Sequence, residues 1–139
     1  MQLNITTDYA IRIVSYLAIR GELVNSETIA SVMGIPRGYV LKITKKLVRA
    51  GIAARVIGAQ GGFLLDKGPE KISLYEIINI MEPTTRLNRC LEEDKYCSRF
   101  ATENCPVRFF YSGLQKLLET KLQEMTVADL LDRKSTRLN

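Results

Sequence analysis

Residues 25–66 constrain the fold more than any other part of the chain. "NSETIASVMG" (25–34) has the spacing of a short helix, opened by Asn25 or Ser26 and ended by Gly34. After a tight "GIP" turn, "RGYVLKITKKLVRAG" (37–51) forms a helix with two faces. Val40, Ile43, Leu47 and Val48 lie on one side, Lys42, Lys45, Lys46 and Arg49 on the other, and Gly51 stops it. Two short β-prone arms, around 53–57 and 63–66, then flank a "GAQGG" tip, which is a hairpin signal. A phosphate-cradling loop would need a following Lys-Ser/Thr and a helix, and neither is there.

The flanking segments complete the pattern. "TDYAIRIVSYLAIR" (7–20) reads as a first, mostly buried helix carrying Tyr9, Ile13 and Leu17, with Thr7 or Asp8 as its cap. "ISLYEIINIMEP" (72–83) reads as a fourth, with Ser73 as cap and Pro83 as stop. Helix, short helix, basic helix and hairpin in this order predict a mainly α fold, a winged helix-turn-helix. In that arrangement the third helix offers its polar face to a major groove and the hairpin lies over backbone or minor groove.

Charge selects the same window. Residues 37–67 carry seven basic side chains (Arg37, Lys42, Lys45, Lys46, Arg49, Arg55, Lys67) against Asp66 alone. Residues 1–36 carry a net of −1 and residues 68–139 a net of zero, so the surplus of +5 comes from one stretch. A solvated lysine-rich face is the commoner origin of a charge run. Here topology points to the same residues independently, and double-stranded DNA is the expected partner.

From 106 to 126, "PVRFFYSGLQKLLETKLQEMT" is a long helix with Phe110, Leu114, Leu117, Leu118, Leu122 and Met125 on one side. This stripe suits either a packed core or a seam against a second copy, and a homodimer is expected because readers of this type pair two half-sites. The closing "DRKSTRLN" is polar and is expected to fray. The expected organisation is therefore a DNA-binding domain at 1–83, a cysteine-bearing loop at 84–105, a dimerisation helix region at 106–132 and a frayed tail at 133–139. The apolar run "IVSYLAI" (13–19) is too short to span a bilayer and lacks a cleavage pattern, so neither a membrane span nor a leader is expected. The reading is a cytoplasmic protein with reduced thiols.

All three cysteines, Cys90, Cys97 and Cys105, sit in "CLEEDKYCSRFATENCP" (90–106), and the chain has no histidine. An odd count argues against a disulfide framework. Along a single helix the outer two would be about 22 Å apart, so a shared ligand requires a folded-back loop. Pro106 puts Cys105 at the start of the long helix, where the free N–H groups favour a thiolate. Structural zinc usually shows closer pairs than C-x₆-C-x₇-C, whereas iron–sulfur clusters take thiolates at looser spacing. Three unrelated thiols are the bland alternative.

These residues resemble the Rrf family of winged-helix iron–sulfur transcriptional repressors, the IscR- and NsrR-like proteins. The likeness runs from "LNITTDYAIR" through "IASVMGIPRGYVLKITKKLVRAGI", the wing "GAQGGFLL" and "ISLYEIINIME" to the three cysteines before the long helix. It implies a dimer on palindromic promoter DNA, with an iron–sulfur cluster, [2Fe–2S] or [4Fe–4S], in a loop beside the dimer helix. Arg37, Tyr39 and Lys42 stand at DNA-contacting positions, and Gly58, Ala59, Gln60 and Gly61 form the wing tip. Lys45 and Lys46 follow on the same helix and are assigned to phosphates from charge. The chain departs from the pattern at Ile57, where some members carry a wing arginine, and in its longer cysteine spacings. With no histidine, an IscR-like histidine ligand is excluded. Asp8, in "TDYA", is where an NsrR-like protein offers a carboxylate from the partner subunit; Glu92, Glu93 and Asp94 are nearer alternatives.

The expected function is a dimeric transcriptional regulator, a repressor, whose operator binding follows a cluster sensing nitric oxide, redox state or iron and cluster supply. A cluster-free regulator sensing oxidants or sulfur metabolites through its thiols is the alternative. An electron-transfer protein on a winged scaffold is a third reading. No acid–base constellation suggests an enzyme.

Overall fold

The structure is a computed structural model that describes residues 2–99 and 102–137. Its order is α1 (Ile5–Arg20), α2 (Ser26–Met33), α3 (Arg37–Arg49), β1 (Ala53–Val56), β2 (Gly62–Leu65), α4 (Leu74–Met81), α5 (Pro106–Glu124) and α6 (Val127–Arg137). This is the expected winged helix-turn-helix, extended by two C-terminal helices.

Local signals set most of the boundaries. Asn25 caps α2 by accepting the Thr28 N–H at 2.8 Å, and Gly34 ends it in the left-handed conformation, φ 67°. That break turns the chain at Ile35, whose buried side chain seats α3 across α2. Val40, Ile43 and Leu47 of α3 are fully buried with Ile13, Val14 and Leu17 of α1, Ile29 of α2 and Ile77 of α4. β1 and β2 pair antiparallel from Ala53↔Leu65 to Val56↔Gly62. Val24 adds a bridge to Phe63, with bonds of 2.9 and 2.8 Å, and ties the wing to the α1–α2 connection. Gly62 is needed there because a Cβ would meet the Val24 carbonyl oxygen at 2.4 Å.

Two expectations are corrected. Helix one starts at Ile5, not at a Thr7 or Asp8 cap. Its cap comes from elsewhere in the chain. The Glu82 carboxylate accepts from the Asn4 N–H at 2.8 Å, from Asn4 Nδ2 at 3.1 Å and from the hydroxyl of the buried Thr7. A carboxylate at a helix N-terminus offsets the partial positive charge there. Second, the long helix stops at Glu124, and a sixth helix follows instead of a continuation. Thr126 and Asp129 form a reciprocal capping pair, each side chain accepting the other's backbone N–H at 3.1 Å. The assigned span of α6 runs to Arg137, into the stretch expected to fray, while 138–139 lie outside the described residues. The anchor is Val127, fully buried in the winged-helix core, with its N–H on the Ile72 carbonyl at 2.9 Å. The stretch after α5 thus returns to the first body of the chain, although the sequence groups it with the dimerisation region. Among the described residues no helix is long and apolar enough to cross a membrane.

Candidate nucleic-acid interface and cysteine cavity

The exposed arc of α3 carries Arg37, Gly38, Tyr39, Leu41, Lys42, Lys45 and Arg49, with Lys46 half-buried at its edge. Backbone packing explains this split. Val40, Ile43, Thr44 and Leu47 take the core side, and Thr44 satisfies its hydroxyl on the Val40 carbonyl at 2.7 Å. The wing tip exposes Gly58, Ala59 and Gln60, with Gly61 half-buried, and places Ile57 outward at 84% exposure. The structure brings the basic helix and the wing onto one body, as the charge window implied.

Tyr39 also belongs to an internal contact. Its ring meets that of Tyr9 edge to face, centroids 5.5 Å apart and planes at 74°. Tyr9 follows Asp8 on α1, so the turn that carries Asp8 packs directly on the first turn of α3. Asp8 itself pairs with Arg12 at 3.0 Å, both side chains about half exposed.

The cysteines come together as the folded-back loop required. Cys90, Cys97 and Cys105 all line one cavity of about 260 Å³, with Arg89, Tyr96, Arg108 and Tyr111 among its walls. No disulfide joins them. Among the described residues, no three cysteine and carboxylate side chains close in tightly enough to hold a metal ion by themselves. Cys105 occupies the N-cap position of α5 with Pro106 after it, yet its thiol makes no capping bond. It is left to line the cavity.

Two sets of contacts shape this loop, and sequence reasoning missed both. On one side, Arg89 pairs with Asp94 and its guanidinium stacks on Tyr96, 5.4 Å from the ring centroid. Arg89 hydrogen bonds hold the Asp94 carboxyl below the usual carboxylate range, and the same bonds raise Arg89. Lys95 takes a left-handed φ of 48°, which turns the chain back toward Cys97. On the other side, α5 presents a polar face. Arg108 Nε donates to the Cys90 carbonyl at 3.2 Å. Gln115, the one buried side chain among the described residues of α5, donates to the Thr85 carbonyl at 2.9 Å and accepts the Leu87 N–H at 2.7 Å. Glu119 pairs with Arg86 at 2.7 Å. The i, i+7, i+11 spacing of Arg108, Gln115 and Glu119 could have signalled an inward polar face.

The other side of α5 is apolar and uncovered over its first three turns, and Lys116, Lys121 and Glu124 surround Leu117 further along. Phe110 and Leu117 are 64% and 71% exposed, and Val107, Phe109, Leu114 and Leu118 are exposed beside them. Leu122 and Met125, expected on the same stripe, are half-buried. In a free-standing monomer this polarity is inverted.

Comparison with known proteins gives a family. The Rrf2 family, described as iron-dependent transcriptional regulators, matches residues 3–133. The chain belongs to the Rrf2 family. It is 34% identical over 128 residues to a protein of Aquifex aeolicus (strain VF5) named as an HTH-type transcriptional regulator, covering 91% of this chain and 89% of that one. Its fold is that of T. potens IscR (TM-score 0.76, 22% identity, 96% and 88% of the two chains). It is equally that of CymR, the global cysteine regulator of B. subtilis (TM-score 0.72, 19% identity, 96% and 98%). This Rrf2 protein is a DNA-binding transcriptional regulator and not an enzyme.

Proposed function

We propose that this Rrf2 protein is a homodimeric repressor whose operator binding is set by an iron–sulfur cluster held by Cys90, Cys97 and Cys105. The observation that carries this reading is the convergence of all three thiols on one cavity. Thiolates are the donors such a cluster takes, and Arg108 on the cavity wall, with no carboxylate paired to it among the described contacts, would offset part of the negative charge of several thiolates together. The cluster, when bound, would supply the redox- and nitric-oxide-sensitive chemistry. The protein would supply its attachment and the connection to DNA.

The fourth ligand fits a residue from outside the loop. Among the described residues, no carboxylate lines the cavity. Of the nearer candidates, Glu92 accepts from the Thr84 hydroxyl at 2.5 Å, Asp94 is taken up by Arg89, and Glu93 is exposed and does not line the cavity. Asp8, on the surface of α1, is free to reach a second copy if its pairing with Arg12 yields. The inverted polarity of α5 supports that second copy: its inner face binds the loop by hydrogen bonds and its outer face is apolar. An Asp8 engaged across the dimer would load the Tyr9–Tyr39 contact, and through it α3. Cys105, at the first turn of α5, joins the loop to the dimer seam.

Direct thiol sensing is the second reading. It is favoured by the equal likeness of fold to a cysteine regulator and by the lack, among the described residues, of any carboxylate in the cavity. The test is anaerobic purification with iron and sulfide assays and a visible spectrum. Matched iron and sulfide in the wild type, lost in Cys97→Ala, is the expected result. A colourless protein that stays colourless after anaerobic reconstitution would give the thiol reading the lead.

A further inference from the structure

The DNA-facing arc of α3 is basic except at Gly38, Tyr39 and Leu41, and Leu41 is its one exposed aliphatic side chain. Leu41 is 42% exposed and is absent from the set of side chains packed on the core, whereas Val40, Ile43 and Leu47 on the same helix are fully buried. Gly38 lies one turn before it on the same arc, and a Cβ there would meet no atom within 4 Å. Lys45 lies one turn after it, with Lys42 alongside. A scattered surface leucine needs no explanation. This one lies between Arg37 and Lys45 around the exposed arc of the helix read as entering the groove, beside a residue with no side chain.

We propose that Leu41 and Gly38 form a shallow apolar step that reads the C5-methyl group of thymine in the major groove. The inference rests on the reading of α3 as the groove-entering helix. Bare backbone at Gly38 lets the helix come close to the base edges. Leucine then meets the one apolar group that base pairs expose in that groove, while Lys42 and Lys45 hold phosphates and carry no sequence information there. The step distinguishes thymine from cytosine and makes each half-site depend on a methyl group.

The test uses a duplex that the protein itself selects from a random-sequence library. Each thymine is replaced in turn by deoxyuridine, which removes only the methyl group. At one thymine per half-site the wild type should weaken about four-fold, the equivalent of one buried methyl. Leu41→Ala should bind the thymine duplex correspondingly less well, lose that deoxyuridine penalty and keep the salt dependence of the wild type. Leu41→Gln, which keeps the bulk but not the apolar surface, should behave like Leu41→Ala. Wild type indifferent to every deoxyuridine, or a Leu41→Ala protein that keeps the full penalty, would overturn the proposal while leaving DNA binding intact. A wild type that selects no sequence at all would instead remove the parent reading, and this proposal with it.

Discussion

Replacing Lys42 and Lys45 together by alanine is expected to reduce operator affinity by roughly 10³-fold near 0.1 M salt, with little change in thermal stability. Both side chains are exposed on the arc of α3 opposite its buried residues, so the fold does not depend on them. If each neutralises one phosphate, a dimer loses four contacts. Each contact contributes about 0.9 to the slope of log affinity against log salt, so the slope should flatten by about 3.6. Anisotropy titrations at four salt concentrations measure both quantities. An unchanged slope would mean that the basic window does not meet the backbone.

The second large effect belongs to α5. Phe110→Glu with Leu117→Glu should convert the proposed dimer to a folded monomer and weaken operator binding by more than about 100-fold, because the two half-sites would then be held independently. Both side chains are mostly exposed in the single protomer, so charging them removes nothing from its core. Sedimentation velocity reads the mass and circular dichroism the helix content. A wild type that sediments as a monomer at tens of micromolar, or a double variant that still dimerises, would reject the seam.

These two predictions draw on parts of the molecule that were unequally legible in the sequence. The winged domain was readable because each of its elements carries its own punctuation: Asn25 and Gly34 around α2, Ser73 before α4, glycines at the wing. Basic and apolar periodicities on α3 coincide with its exposed and buried faces, so the expected DNA-contacting residues fall on one arc. What failed to show was long-range in origin. Glu82 caps α1 from 78 residues away, and no local pattern at Thr7 or Asp8 reports it. Gln115 is an ordinary helix residue by propensity, and only the loop lying against it makes it buried. The Thr126–Asp129 capping pair was a local signal, but the apolar stripe running to Met125 overshadowed it.

The cysteine site divides in the same way. Residue types named the three cysteines as candidate donors, and the elimination of a single-helix arrangement meant that a shared ligand required the loop to fold back. The walls of the cavity were not foreseeable. Arg108 comes from the helix after the loop and Arg89 from within it, and each is placed by a contact of the folded chain: the Cys90 carbonyl for one, Asp94 and Tyr96 for the other. Leu41 was passed over for a different reason. An exposed leucine among lysines breaks the two-faced pattern, and pattern reading discards such a residue unless burial is known.

The most direct measurement is the anisotropy titration of a fluorescent operator duplex by anaerobically prepared protein, before and after exposure to nitric oxide, with Cys97→Ala as control. If the cavity governs the DNA-binding face, the wild-type affinity should shift by at least about ten-fold, a coupling of the usual size between linked sites, and the variant should not respond. Superimposable curves for the wild type, with a dimer still present, would contradict the account.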